Sequence, residues 1–112
     1  MSEEPLKYIF VRANSVLSKI ELNDFQYAQA LGDYVNIFTE GNSPKRYTVH
    51  ISLSKLEEKL TANSNIMRLH NSYLVNVDKI TSVEQETAYI SKHPLPISKT
   101  RKEEFLTKLN VI

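Results

Sequence analysis

The sequence predicts a mainly β protein with two short helices, a small antiparallel β-sheet domain. The chain has 112 residues and 41% hydrophobic content, which suits a single domain with one buried core. Apolar residues recur with period two along most of the chain, as they do in half-buried strands. Two segments instead show the spacing of an amphipathic helix. These three observations together predict a fold dominated by strands.

Five segments in the first half of the chain are predicted strands. Each is short, rich in β-branched and aromatic residues, and alternating in polarity; they are residues 8–12, 16–20, 25–29, 34–39 and 46–51. Asn14, Gly32 and Pro44 lie between them. These residue types favour turns, because Gly and Asn tolerate positive φ and Pro fixes φ near about −65°. The regular spacing of strands and turns predicts consecutive antiparallel pairing.

A short helix is predicted next, over residues 53–60. Three leucines recur there at helical spacing, namely Leu53, Leu56 and Leu60. Ser52 is placed to cap the start of this helix, and Ser54 with Glu57 has the spacing of a capping box. The pattern predicts a short amphipathic helix.

The second half of the chain returns to strands and ends in a second helix. Three further strands are predicted at residues 66–69, 79–84 and 87–91. Pro94 and Pro96 confine their segment to an edge or irregular position, because proline cannot donate a hydrogen bond to a neighbouring strand. Thr100 and Glu103 have capping-box spacing at the start of the second helix. Its apolar side consists of Phe105, Leu106 and Leu109.

The charged residues are segregated along the chain. Residues 1–43 contain three Lys and Arg against six Asp and Glu, whereas residues 44–112 contain eleven against seven. Such asymmetry is typical of a face that meets a polyanion, and also of an ordinary solvated surface. The net charge of +1 and the pI of about 7.9 lie below the values of many dedicated nucleic-acid binders. Charge alone therefore leaves both interpretations open.

Composition excludes several kinds of site. The chain has no cysteine, and its three histidines show no metal-ligand spacing: His50, His70 and His93. Only two glycines are present, which argues against a phosphate-binding glycine loop. No cluster of carboxylates is apparent, so neither an enzyme activity nor a cofactor is predicted. No signal-peptide pattern or membrane-spanning apolar run is found, which predicts a cytoplasmic protein. Residues 1–6 are interpreted as a linker remnant before a domain at 7–112.

The most specific motif lies at residues 67–76. It contains an Arg-x-His-x-Ser-Tyr-Leu-Val-Asn pattern that resembles the most diagnostic stretch of the LytTR family. Residues 23–35 resemble the upstream signature of that family, which includes Gly-Asp/Asn-Tyr-Val, and Leu95–Lys99 resembles its Leu-Pro-Val-Ser-Arg. Order and spacing agree over roughly residues 8–109. The chain is therefore similar to the LytTR-type DNA-binding domains, which are output domains of LytR/AlgR-family response regulators.

The resemblance implies sequence-specific duplex DNA binding for transcription regulation. Domains of this type place loops, not a recognition helix, into successive major grooves, usually as two copies on repeated half-sites. The resemblance also implies a receiver domain in the full-length chain and a possible homodimer on DNA, with no membrane partner. Gln29 stands where the family usually has Glu, a change expected to affect only a structural hydrogen bond. Lys99 stands where it often has Arg, so the base read at that contact is not fixed by the resemblance.

The resemblance also assigns roles to particular residues. Base-reading positions fall at Asn71 and Lys99, with Val35 or Asn36 as the third. The amide of Asn71 suits adenine, because it pairs with N6 and N7 together. Further DNA-binding candidates are cationic: Arg68, Arg101 and Lys102. His70 and Ser72 are expected to support the recognition loop structurally.

Plainer interpretations stand beside these assignments. Asn71 is of a type that commonly bonds to its own backbone in a turn. Arg68 is either a phosphate contact or a solvated surface group, and the basic residues at 99–102 also fit the polar face of a helix. Three tyrosines are expected in core or half-core positions: Tyr34, Tyr47 and Tyr73. A protein-interaction module acting through β-edges is the alternative function, and RNA binding is disfavoured because its usual Gly/aromatic strand motif is missing.

Overall fold

The computed structural model describes residues 4–112, which form ten strands and two α-helices. The strands are β1 Tyr8–Ala13, β2 Val16–Glu21, β3 Phe25–Leu31, β4 Tyr34–Thr39, β5 Lys45–Val49, β6 Ile66–His70, β7 Tyr73–Asn76, β8 Ser82–Glu84, β9 Thr87–Ile90 and β10 His93–Pro96. The helices are α1 Leu53–Lys59 and α2 Lys99–Thr107, with short 3-10 helices at Leu22–Asp24 and Val77–Lys79. The predicted class, mainly β with two helices, is confirmed.

A five-stranded antiparallel sheet in the order β5-β4-β3-β7-β6 forms the centre. One face, which carries Phe25 and Leu74, packs against the β1-β2 hairpin and α1. The opposite face, which carries Tyr27 and Val75, packs against the β10-β9-β8 sheet and α2. Two apolar clusters result, one on each face, and the central strands are buried from both sides.

Two predicted strand assignments change in the structure. Residues 73–76 form β7, a central strand that period two does not reveal, because Leu74, Val75 and Asn76 are all buried. A strand covered on both faces loses the alternation of polarity on which the prediction depends. The strand predicted at 79–84 is shorter, since Val77–Lys79 forms a 3-10 helix before β8. The segment with two prolines is an edge strand, β10, as one of the two predicted alternatives had it.

Both predicted capping boxes are wrong, although both helices form. Ser52 caps α1, its Oγ accepting the N–H of Lys55 at 3.1 Å, while the carboxylate of Glu57 pairs elsewhere. Helix α2 begins at Lys99, with Ser98 as N-cap, so Thr100 lies inside the first turn. Neither helix of the described part of the chain is long and apolar enough to cross a membrane.

Leu6 is bonded to the domain through its backbone. Its N–H donates to Asn63 Oδ1 at 3.0 Å, and its carbonyl accepts from Asn63 Nδ2 at 2.9 Å. Asn63 is itself buried. Contacts of the domain therefore extend into the last residue of the predicted linker remnant 1–6, whose first three residues lie outside the described range.

Candidate nucleic-acid interface

Two turns lie side by side at one end of the central sheet. One joins β3 to β4 through Gly32 and Asp33, and the other joins β6 to β7 through Asn71 and Ser72. Strands β3 and β7 are antiparallel neighbours, so both turns project from the same end. The Ala30 N–H donates to the Ser72 carbonyl at 2.9 Å, and this bond ties the second turn to the strand leading into the first.

The amino end of α2 lies at the same end of the sheet. The Ser98 N–H donates to the Leu69 carbonyl at 3.0 Å, and Leu69 lies two residues before Asn71 in the chain. Lys99 is the first residue of α2, and both Lys99 and Asn71 are exposed. The fold thus brings two of the predicted base-reading residues to one end of the molecule. We call this end, formed by the turns at 31–34 and 70–73 and by residues 98–101, the turn face.

Lys99 and Arg101 carry the positive charges of the turn face, which also contains the exposed carboxylate of Asp33. Within residues 4–112, neither forms a salt bridge. The Ser98 side chain makes no cap hydrogen bond, so it satisfies none of the backbone N–H groups of the first turn. A cation at a helix amino terminus opposes the helix dipole, at a cost of about 0.3–1 kcal/mol. A phosphate at this position would offset that cost.

The other cations predicted in this region are less available. Lys102 pairs with Glu86, Nζ to Oε1 at 3.0 Å, and its side chain is 32% exposed. Arg101 lines a cleft of about 300 Å³ together with Arg68 and Lys108. The basic residues at the start of α2 therefore differ in what they can contact, and Lys99 is the most open of them.

Val35 and Asn36, the predicted third base-reading position, do not lie on the surface. Val35 is 0% exposed and packs in the core. Asn36 is 8% exposed, and its Oδ1 accepts a hydrogen bond from Thr48 Oγ1 at 2.7 Å on the neighbouring strand. Neither side chain can reach a base edge in this conformation, which corrects the expectation at both positions.

The exposed side chain next to them is Tyr34, which was expected in the core or half-core. It is 49% exposed, whereas Tyr47 and Tyr73 are half-buried. Its ring lies 5.1 Å from the ring of His50, with the planes tilted by 52°. The register that pairs Val35 with Val49 places Tyr34, the first residue of β4, opposite His50, which follows the last residue of β5. His50 was not singled out from the sequence, although its polar place in the 46–51 alternation indicated an outward side chain.

Arg68 is directed into the protein. Its Nε donates to the His70 carbonyl at 3.0 Å and its Nη2 to the Asn71 carbonyl at 2.7 Å. Its Nη1 donates to Glu57 Oε1 at 2.8 Å and to Ser54 Oγ at 3.4 Å. The side chain is only 12% exposed. These contacts argue against the solvated interpretation and leave little of the guanidinium for a phosphate.

His70 and Ser72 close the turn that presents Asn71. The N–H of Ser72 donates to His70 Nδ1 at 3.1 Å. The imidazole lies edge-on to the ring of Tyr73, with centroids 6.0 Å apart, and the hydroxyl of Tyr73 accepts from Gln29 Nε2 at 2.9 Å. A local hydrogen bond from a backbone N–H to a nearby side chain stabilises a short turn. Asn71, which lies between the two bonded residues, is therefore on a constrained loop.

Tyr27 lies behind the turn face, within the cluster that α2 covers. Its ring stacks on Phe38 and on His93, and its hydroxyl lies 2.7 Å from His93 Nε2. Burial, with the nearby Tyr73 adding to it, raises the pKa of the Tyr27 phenol above its ordinary value. The neutral phenol is therefore the form that the folded protein favours.

These features define a small β-rich binding domain. Its exposed polar and cationic surface is the turn face, which consists of two turns and one helix end and not of the side of a helix. The sequence model of the LytTr DNA-binding domain family matches residues 15–110. The chain belongs to this family. Membership in a DNA-binding family, rather than an enzyme family, supports DNA binding in transcription regulation as the function of the chain.

A solved structure shows the same fold. It is the LytTr DNA-binding domain of a Bacillus cereus protein named as a methyl-accepting/DNA response regulator. The two chains are 17% identical, with a TM-score of 0.74, and the match covers 95% of this chain and 99% of the other. The search of curated proteins gave no match. The structural likeness at this identity concerns the fold alone.

Proposed function

We propose that the chain binds duplex DNA sequence-specifically by inserting the turn face into successive major grooves. The observation that carries the proposal is the placement of Asn71 and Lys99 at one end of the sheet, through the Ser72–Ala30 and Ser98–Leu69 backbone bonds. A major groove about 12 Å wide admits a turn or a helix end. The family assignment supports DNA as the ligand, and the exposure of Asn71 and Lys99 at one end of the sheet supports the turn face as the contact surface.

Each proposed contact follows from the chemistry of the side chain. The Asn71 amide donates to and accepts from the N6 and N7 edge of adenine. The Lys99 ammonium donates to guanine O6 or N7, as a single point charge and not as a planar fork. Arg101 contacts a phosphate. Tyr34 with His50 takes the place that the sequence assigned to Val35 or Asn36, because their rings are exposed aromatic groups beside the first turn.

The proposal extends to the assembly on DNA. Two copies bind repeated half-sites, and the full-length protein carries a receiver domain that controls them, as the resemblance of the motifs implies. Such a regulator acts in the bacterial cytoplasm, where its operator lies. In this arrangement the domain is the output part of a two-component response regulator.

Selection of bound sequences from random duplex, followed by gel shifts, tests the proposal. The enriched sequence should bind tightly and a scrambled duplex weakly, since specific sites commonly exceed non-specific ones by about 10³-fold or more. Affinity should fall with salt by about 0.9 log units per log unit for each phosphate neutralised. Equal binding to both duplexes would contradict sequence recognition. Binding of a protein partner without any DNA binding would instead favour the β-edge alternative.

Matched variants locate the contact surface. Asn71→Ala and Lys99→Ala should each weaken specific binding by about 1–3 kcal/mol. Asn42→Ala and Lys45→Ala remove the same side-chain types at the opposite end of the sheet, where Lys45 pairs with Thr39. These two controls should leave the preference for the selected duplex unchanged. A larger loss from the controls than from the turn-face variants would place the interface elsewhere.

A further inference from the structure

Arg68 connects helix α1 to the turn that carries Asn71. Three of its guanidinium contacts lie at 2.7 to 3.0 Å, two to the carbonyls of His70 and Asn71 and one to the carboxylate of Glu57. Nothing else among the hydrogen bonds of the described residues joins α1 to this turn. The side chain therefore acts as a brace between a helix and a loop.

The geometry of the brace determines where the Asn71 side chain points. A guanidinium is planar, and its donors leave it in fixed directions. Bonding both the His70 and Asn71 carbonyls to one guanidinium fixes the orientation of two successive peptide groups. Bonds to a charged donor are shorter and stronger than bonds between neutral groups. The backbone of the turn is held from within, and the exposed Asn71 side chain is left free to contact a ligand.

Glu57 in turn orients the guanidinium. Its Oε1 accepts from Arg68 Nη1 at 2.8 Å, and its side chain is 40% exposed against 12% for Arg68. The carboxylate balances a largely buried cation and leaves Nε and Nη2 facing the turn. Without the Glu57 carboxylate, burial of the unpaired guanidinium would cost free energy, which favours its turning outward to water or to a phosphate.

We propose that Glu57, acting through Arg68, positions the Asn71 turn for base recognition. The inference rests on the proposed DNA-binding function and assigns no DNA contact to either residue. Glu57 belongs to a helix outside the turn face, so base preference depends on a carboxylate that touches no base. An acidic residue would ordinarily oppose DNA binding through its charge, and here its removal is expected to harm specific binding.

Glu57→Gln and Glu58→Gln form a matched pair for the test. Each removes one negative charge from the same helix, but Glu58 is exposed and pairs only with Lys55 at 3.9 Å. The quantity to measure is the ratio of affinities for the selected and the scrambled duplex. Glu58→Gln should tighten binding to both duplexes slightly and leave the ratio unchanged. Glu57→Gln should lower the ratio about three- to tenfold, the size of a coupling between neighbouring groups.

A double-mutant cycle separates positioning from general damage. In an Asn71→Ala background, Glu57→Gln should lower the ratio no further, because the contact that it positions is already absent. Equal ratios for Glu57→Gln and Glu58→Gln, or additive losses in the cycle, would overturn the proposal. Urea unfolding of each variant establishes that the comparison concerns folded protein.

Amide hydrogen exchange gives a readout that does not depend on DNA. Glu57→Gln should speed exchange at the Ser72 amide, whose N–H donates to His70 Nδ1 within the braced turn, whereas Glu58→Gln should not. If exchange is faster in Glu57→Gln but the unmodified protein shows no sequence preference, the proposed function is refuted and the brace is retained. Unchanged exchange in Glu57→Gln would refute the brace itself, whatever the DNA result.

Discussion

Asn76 and Asn71 lie five residues apart in the same motif, and the structure assigns them opposite roles. Asn76 is 1% exposed, at the end of β7. Its Nδ2 donates to the Phe25 carbonyl at 2.9 Å, and its Oδ1 accepts from the Asp78 N–H and from Asn65 Nδ2, each at 3.0 Å. The side chain thus joins two strands of the central sheet and caps the 3-10 helix that follows.

Replacing Asn76 with Ala should destabilise the fold by about 3 kcal/mol. The largest part of this loss comes from the carbonyl of Phe25, which is fully buried and would lose the hydrogen bond from Asn76. A buried acceptor without a partner costs about 1–3 kcal/mol. Loss of the cap on Asp78 costs about 1 kcal/mol. The bond to Asn65 contributes about 0.5–1 kcal/mol, because that amide can rotate toward water. The sum is a large fraction of the stability of a small domain, about 5–15 kcal/mol.

Urea unfolding followed by circular dichroism measures this change. With a slope of about 1–3 kcal/mol per molar urea, Asn76→Ala should lower the midpoint by about 1–3 M. Asn71→Ala, at an exposed position, should shift the unfolding free energy by less than about 0.5 kcal/mol while weakening DNA binding. A loss below about 1 kcal/mol for Asn76→Ala, or an equal loss for both variants, would refute the assignment of structural and functional roles.

Three further predictions concern Tyr27, Tyr34 and Lys99. Burial raises the pKa of the Tyr27 phenol above its ordinary 10.0, so the stability linked to the neutral phenol is present below pH 10.0 and is lost as the pH rises through the raised pKa. In urea unfolding, the difference in stability between the unmodified protein and Tyr27→Phe should therefore shrink above pH 10.0. A difference that does not change with pH would contradict this prediction. Tyr34→Ala should weaken specific DNA binding by about 1 kcal/mol or more, whereas Tyr8→Ala, also at a 49% exposed tyrosine, should not; gel shifts of both variants decide. Lys99→Arg should sharpen the preference for guanine at one position of the selected sequence, because a planar fork bonds O6 and N7 together, and an unchanged selection would show that Lys99 reads no base.

The local sequence pattern was sufficient to predict the strands in which polar and apolar residues alternate, and it was insufficient for strand β7. Strands β1, β2 and β5 and both helices were predictable because each has one face toward the core. Strands β3 and β4 are covered on both faces, and they were predictable from their aromatic and β-branched residues and from the turn residues beside them. Strand β7 escaped prediction because helices and sheets cover it on both sides. The arrangement of ten strands into three sheets depends on long-range pairing, such as Tyr27 with Val75, for which the sequence carries no local signal.

At the first turn, the proposed contact lies one residue before the positions expected from the sequence. The motif placed a contact at Val35 or Asn36, and the exposed residue is Tyr34. Val35 and Asn36 point to opposite faces of β4, and both are buried because this central strand is covered on both sides, whereas Tyr34 lies at the end of the strand and is exposed. The apolar side chain of Val35 favoured the core on its own chemistry.

The sequence is also misleading about Arg68, which has the features of a phosphate contact although the structure directs its side chain into the protein. An arginine beside a recognition turn, in a basic half of the chain, has the composition of a phosphate contact, and only its partners separate the two roles. Its acceptors are two backbone carbonyls, which no sequence pattern identifies, and a carboxylate on a helix 11 residues earlier. A DNA-binding loop gains precision when its backbone is fixed before the ligand arrives, because less conformational entropy is lost on binding. If the proposed function holds, Arg68 contributes to recognition from within the protein: its charge orders the turn through the His70 and Asn71 carbonyls.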